Sequence, residues 1–366
     1  MDYRQLVEDI YFVMLFGGVT MLEVATALFL LLRKGNAIAP EVTSPVRLRR
    51  WAAAFLLASA ACHMWWLLGV AHPLTQDPLT GYMILCCLDI LIVLSTMMGT
   101  LLAMLQDRRR PFWPVCAAML PFIVLSALCF IRNDDAFVVP LRIYILALIA
   151  IFTLYMVFAV RRYGRWLQDN YADLEHKEIR KSLLALAVFL IFLAMYESVD
   201  VGRVAAYLMQ VDALIILGLL LWRVETLQEL NPDTIQEEEP AEAAPIPAST
   251  GIPANIGPLL ETNCESRQLY LQHDLSLAQL AQAIGTNHSY LSRYFAQQGL
   301  TYNAYINGLR VRHFIQLYHE SVASRRMFTA QQLAYESGFH SYSTFSAAFK
   351  QNTGKTVTAW MRDSAK

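Results

Sequence analysis

Two sets of residues in this chain are placed to do chemistry. The first is a polar group, His288, Ser289, Ser292 and Arg293, interleaved with the apolar residues Leu291 and Phe295. At helical spacing the polar side chains lie opposite the apolar stripe, where the Arg293 guanidinium can donate two hydrogen bonds to O6 and N7 of a guanine. Tyr342, Ser343, Ser346 and Ala347 stand in the same relation to Phe345 and Phe349, with Lys350 close by. That second face has no long cation of its own, so it is expected to read less sequence or to act through phosphate contact at Lys350. The plainer alternative for both groups is a solvated helix face.

The second set is Glu23, His63, Asp89 and Asp212, each inside a long apolar run. If these runs cross a bilayer, His63, Asp89 and Asp212 lie on the order of 10–12 Å from the outer ends at 1.5 Å per residue, and Glu23 somewhat deeper. An ionised group there is unfavourable by at least about 2.5–3.5 kcal/mol, so each must pair, stay neutral, hydrogen-bond or face water. The similar depths suggest one cluster, a candidate sensing pocket rimmed by Glu197, Asp200 and Arg203. A polar network that only fixes helix packing is the alternative. One histidine among scattered carboxylates has no metal-ligand spacing, so no metal site is expected.

The elements that would position the first set form a duplicated pattern. Ser276 can cap a helix whose apolar face is Leu277, Leu280, Ala281 and Ile284; Gly285 makes a turn, and a second helix opens near His288 with Tyr290, Leu291, Tyr294 and Phe295 inward. Thr329 caps the second copy, Leu333 and Ala334 point inward, Gly338 turns, and Phe339, Phe345 and Phe349 are buried. The turn after the glycine differs by one residue between the copies. From Tyr302 to Ser321 a long amphipathic helix joins them, with Tyr305, Ile306, Leu309, Phe314 and Leu317 on its inner side.

This arrangement resembles the C-terminal DNA-binding domain of the AraC/XylS transcription regulators, down to Ala334, Gly338-Phe339, Phe349-Lys350 and Gly354. The resemblance covers roughly the last hundred residues, under a third of the chain. It implies a double helix-turn-helix fold and base contact at the second group, Tyr342, Ser343, Ser346 and Ala347. The family's usual proline and tyrosine near the end are replaced by Val357 and Trp360, which keep apolar bulk.

The rest of the chain explains its composition, 56% hydrophobic and only 16% charged, far from an ordinary soluble mixture. Apolar runs occur at Ile10 to Leu32, Trp51 to Val70, Tyr82 to Leu105, Trp113 to Ile131, Val138 to Val160, Leu183 to Val199 and Val204 to Trp222, each close to the roughly 20 residues a helix needs to cross. The expected architecture is therefore all-α, a seven-helix transmembrane bundle followed by a linker and the double helix-turn-helix domain. Acidic Asp2, Glu8 and Asp9 precede the first run, so no cleaved leader is expected. Arg33, Lys34, Arg47, Arg49 and Arg50 follow the first run, Arg108 to Arg110 the third, and Arg161, Arg162, Arg165, Lys177, Arg180 and Lys181 the fifth. The connections around His72 to Thr80, Arg132 to Phe137 and Asp200 to Arg203 are poor in positive charge. The positive-inside rule then places the N-terminus outside and the C-terminus in the cytoplasm of a bacterial inner membrane.

Residues 1–230 are thus expected to be a membrane sensor domain, 231–258 a flexible acidic linker rich in proline and alanine, and 259–366 the DNA-binding domain. The linker's typical reach is on the order of 30 Å. From Pro258 onward ten Lys/Arg face six Asp/Glu, a balance of +4 that suits DNA. The six cysteines form no metal-type pairs and no disulfide framework is expected.

Several enzyme classes find no support. The apolar runs hold no lysine for a retinal Schiff base, and His-Glu-x-x-His, Gly-x-Ser-x-Gly and glycine-rich phosphate loops do not occur. No catalytic residue or cofactor is expected. The sequence reads as a membrane-embedded one-component transcription regulator; a transporter with a regulatory DNA-binding tail and a regulator released by proteolysis at the linker are the competing readings. Expected partners are double-stranded promoter DNA, membrane lipid and an unidentified small-molecule or peptide signal, with RNA polymerase and a second copy of the chain as further candidates.

Overall fold

The computed structural model describes residues 8–71, 78–132, 136, 138–181, 183–188, 203–230 and 256–364. Among the described residues the regular elements are all helices, and the one β-type pairing is an isolated bridge between Tyr171 and Ser276. The chain divides into two compact units, residues 1–161 with 179–230, and residues 162–178 with 231–366.

In the first unit α1 (Ile10–Leu32) starts where Asp9 accepts hydrogen bonds from the Tyr11 and Phe12 amides, and it packs along α2 (Val46–Ala71). Helix α3 (Pro78–Asp89) runs through a π-helical turn at Ile90–Leu94 into α4 (Ser95–Ala103). Next come α5 (Trp113–Arg132), α6 (Val138–Asn170) and α7 (Arg203–Thr226). Six stretches among the described residues are long and apolar enough to cross a membrane: Ile10–Leu32, Val46–Gly69, Met83–Ala103, Trp113–Ile131, Val138–Asn170 and Val204–Thr226. Large apolar side chains such as Leu146, Ile151, Leu154 and Phe158 of α6 are exposed, which is compatible with a membrane region, where no aqueous face is needed. Of the expected span Leu183 to Val199, residues 183–188 are helical and the rest lies outside the described residues, as do Glu197, Asp200 and nearly all of the linker.

Helix directions within this unit follow from contacts at the helix ends. Tyr207 near the start of α7 donates to Asp9 at the start of α1 (3.0 Å), and Glu225 at the end of α7 is paired with Arg33 at the end of α1. The two helices are therefore parallel. Around buried Glu225 the Ala37 amide donates to its carboxylate (2.8 Å) and Ser44 donates to the Val224 carbonyl (2.5 Å). Gln106, just beyond α4, is bonded to the Gln228 carbonyl and the Leu230 amide, so the end of α4 joins the same group. Arg110, chelated by Asp107 at 2.7 and 2.9 Å, also donates to the Tyr155 hydroxyl on the later half of α6 (3.2 Å).

The second unit contains the short helix α8 (Ile256–Leu260), then α9 (Leu277–Ala283), α10 (His288–Gln297), the long α11 (Tyr302–Ala323), α12 (Ala330–Glu336), α13 (Tyr342–Thr353) and α14 (Val357–Ser364). Its apolar interior forms two clusters. Leu277, Leu280, Ile284, Leu291 and Phe295 meet the first half of α11 at Ile306 and Leu309, while Leu333, Phe339, Phe345 and Phe349 meet its second half at Phe314 and Tyr318. One helix thus supplies a wall to both cores and fixes the two helical pairs on a single support. Ile256, 1% exposed, belongs to the first core.

Candidate nucleic-acid interface

Each copy of the helix-turn-helix pattern is built by local chemistry that can be followed residue by residue. Ser276 and Gln279 form a reciprocal capping box at the start of α9, and Thr329 with Gln332 forms the equivalent box on α12; each box satisfies two backbone donors that the helix leaves open. Gly285 and Gly338 then turn the chain with φ of +73° and +89°. Asn287 caps α10 through the Tyr290 amide (2.8 Å), and Ser341 caps α13 through the Thr344 amide (3.2 Å). The second helix of each copy is held down by Leu291 and Phe295, and by Phe345, Ala348 and Phe349, all buried.

The opposite faces carry the residues expected to read DNA. On α10 Ser289 and Arg293 are exposed, with His288 and Ser292 half-buried; on α13 Tyr342, Ser343, Ala347 and Lys350 are exposed and Ser346 is half-buried. Arg293 makes no hydrogen bond or ion pair among the described residues, so its donors are available to a ligand. His288 is differently engaged: its Nε2 lies 2.7 Å from Asn170 Oδ1.

Arg310 departs from its charge-count role. It is one of the ten cations counted after Pro258, yet it is 0% exposed. Its guanidinium donates to the carbonyls of Tyr270 (2.7 Å), Gln272 (2.6 Å) and His273 (3.3 Å) and lies over the Phe339 ring. Burial pushes its pKa down, opposed by Tyr302 and by the carboxylates of Asp173 and Asp274. It ties the segment before α9 to the aromatic core of the second copy, a structural task. The thiol of Cys264 in the first core is pushed up to about 12 by burial, which leaves it protonated and chemically quiet. At the end of the domain Trp360 packs on Tyr318 and Phe349, and Val357 is buried, so both residues that depart from the family pattern fill the core.

In the first unit Glu23, His63 and Asp89 gather along α2, with His63 close enough to Asp89 to act on its charge, while Asp212 shares no hydrogen bond with them among the described residues. Glu23, 2% exposed, accepts from Ser59 Oγ (2.6 Å) and stands 3.1 Å from His63 Nδ1. Asp89 accepts from the indole nitrogens of Trp65 (2.8 Å) and Trp66 (2.6 Å). A single helix, α2, therefore serves both carboxylates. Asp212 is 6% exposed, and one of its carboxylate oxygens has no hydrogen-bond partner among the described residues. No hydrogen bond among the described residues joins it to Glu23 or Asp89. The sequence pointed to the carboxylates by their apolar surroundings, but Ser59, Trp65 and Trp66 carried no signal, since serine and tryptophan are ordinary in apolar helices.

No curated protein and no solved structure matches this chain. Residues 266–363 match the family model described as a helix-turn-helix domain, and this part of the chain is an AraC-type DNA-binding domain of the kind that serves transcription regulation.

Proposed function

We propose that the chain is a membrane-embedded one-component transcription regulator, whose apolar helices take up a signal and whose C-terminal domain binds promoter DNA in the cytoplasm. The observation that carries this reading is the presence in one chain of an AraC-type helix-turn-helix domain and six helices fit to cross a membrane. His288, Ser289, Ser292 and Arg293 would read one stretch of major groove, with Arg293 bidentate to a guanine. Tyr342, Ser343, Ser346 and Ala347 would read the next, with Lys350 on phosphate. Glu23, His63, Asp89 and Asp212 are the candidate signal-sensing residues, because ionisable groups inside apolar spans are retained for a reason that outweighs their unfavourable insertion. The arginine-rich ends of α1, α4 and α6 lie on the cytoplasmic side.

Sequencing of the DNA bound by the chain in cells, with and without candidate signals, tests the reading. Enrichment of a few promoters that changes with one signal is the expected result. Absence of promoter enrichment, together with substrate uptake into vesicles carrying the purified chain, would replace the regulator by a transporter.

A further inference from the structure

The C-terminal unit contains a segment from far upstream, residues 162–178, which includes the last turns of α6 and the connection that follows it. This segment is joined to the helix-turn-helix domain by contacts of several kinds. Ala172 is 0% exposed and belongs to the core formed by Leu277, Leu280 and Leu291. Asn303 of α11 donates to the carbonyls of Tyr171 (3.2 Å) and Ala172 (2.7 Å), and Asn307 donates to Ala172 as well (3.1 Å). Tyr171 forms the isolated bridge with Ser276, and Lys177 approaches Asp274 at 3.8 Å.

Two further contacts fall on the helices that face DNA. Asn170 Oδ1 meets Nε2 of His288, the first residue of α10, and Thr344, the third residue of α13, donates to Asp173 Oδ1 (3.5 Å). The N-terminal residues of recognition helices are the ones that approach base edges, so Asn170 and Asp173 stand where a duplex would enter. Residues 169–178 also carry four carboxylates, Asp169, Asp173, Glu175 and Glu178, against the single cation Lys177. Their charge is of the sign that phosphates would bring.

We propose that residues 169–178 form an acidic strap that covers the DNA-entry side of both recognition helices, holds the domain in a DNA-free state, and is displaced when DNA binds. This rests on the DNA-reading faces proposed above. Because the strap continues directly from α6, it also gives an apolar helix a covalent handle on the domain. A ligand that shifts α6 would then act by changing the strap's occupancy, provided it binds the two states unequally.

The test uses the full chain in detergent or nanodiscs and a labelled random-sequence duplex at low salt, where phosphate binding does not depend on sequence. The double variant N170A/D173A removes the strap's contacts to both recognition helices and leaves the domain's own residues intact. It should bind at least about tenfold more tightly than the parent, a difference of roughly 1.4 kcal/mol. Binding that is unchanged or weaker overturns the proposal. The converse variant, Y171C/S276C with exposed Cys116 replaced by serine, crosslinks the strap to the start of α9 across their antiparallel bridge, where directly opposed residues stand at a separation a disulfide can span. Oxidation should abolish binding and reductant should restore it. A crosslinked protein that binds as well as its reduced form, or a crosslink that does not form in the DNA-free chain, likewise sinks the strap. Failure of the DNA-reading itself is distinguishable, since then no form binds, the strap variant included.

Discussion

Arg293 and Arg310 show how little residue type decides at the level of single side chains. Both are cations in the same domain, yet Arg293 projects from α10 into solvent while Arg310 is enclosed by carbonyls and an aromatic ring. Arg293→Ala should weaken binding to the cognate site by roughly 1–3 kcal/mol and blur preference at one base pair. Affinity measured against a panel of single-base variants checks this; uniform weakening on every sequence would demote Arg293 to a phosphate contact. Arg293 was legible because its spacing from Leu291 and Phe295 fixes its face. Arg310 was not, because its partners Tyr270, Gln272 and His273 come from a segment some forty residues earlier, and helical spacing is silent about such pairing. Asp212 is the sharper probe of sensing for a similar reason of partnership. Asp89 accepts from two indoles, so an amide there must surrender one of them and destabilise by about 1–3 kcal/mol. Asp212 has a carboxylate oxygen with no hydrogen-bond partner among the described residues, so Asp212→Asn changes charge with less loss of contact. This variant should accumulate in the membrane at the parental level while its output no longer responds to signal. Output per inserted molecule across a range of external pH and candidate signals is the measurement, and a normal response rejects Asp212 as a sensor.

The turn glycines carry the next scale, where a local rule and a tertiary contact can be separated by experiment. Gly285 and Gly338 occupy equivalent turns and both have positive φ, but their surroundings differ. A Cβ added at Gly285 meets nothing within 4 Å, whereas at Gly338 it falls 2.8 Å from Leu271 Cα and 2.9 Å from the Leu271 carbonyl oxygen. Gly285→Ala should therefore destabilise the domain by only the left-handed backbone strain, about 1–2 kcal/mol. Gly338→Ala should destabilise it by more, since backbone atoms cannot rotate aside. Resistance of residues 256–364 to limited proteolysis in the full chain ranks the two; equal loss would mean that Leu271 yields freely. The sequence displayed both glycines, both capping residues and the one-residue difference after the turns, all of which are local features. It did not display the 162–178 segment, whose partners Asn303, Asn307 and His288 lie more than a hundred residues downstream. That stretch read only as a connection with positive charge around it, and nothing in Asn170-Tyr171-Ala172-Asp173 marks a docking segment.

For the whole molecule, the question that connects sequence and structure is which way the helices run. The described contacts make α1 and α7 parallel and bring the ends of α1, α4 and α7 together around Arg33, Glu225 and Gln106. Arg110 extends this group to Tyr155, so the later half of α6 points to the same side. Helices α6 and α7 then run in the same sense, and the connection from Asn170 to Arg203 has to return the chain to the opposite side before α7 begins. On the reading proposed above, the apolar run Leu183 to Val199 makes that crossing, for seven in all and an odd parity between the two termini. The same side gathers most of the arginines, and positive loops stay in the cytoplasm, while DNA is also found there. Paired Arg33 and Arg110 count less toward this rule than their number suggests, because Glu225 and Asp107 neutralise them; Arg50, Arg108 and Arg109 carry more of it. A reporter active only in the cytoplasm should thus work when fused after Arg223 or within the loop at Asp107, and fail at Thr75 and at Asp200. Activity at Asp200 with none at Arg223 would remove the crossing between α6 and α7. Activity at Thr75 with none at Arg223 would invert the molecule, leave the helix-turn-helix domain on the side without DNA, and defeat the regulator reading altogether.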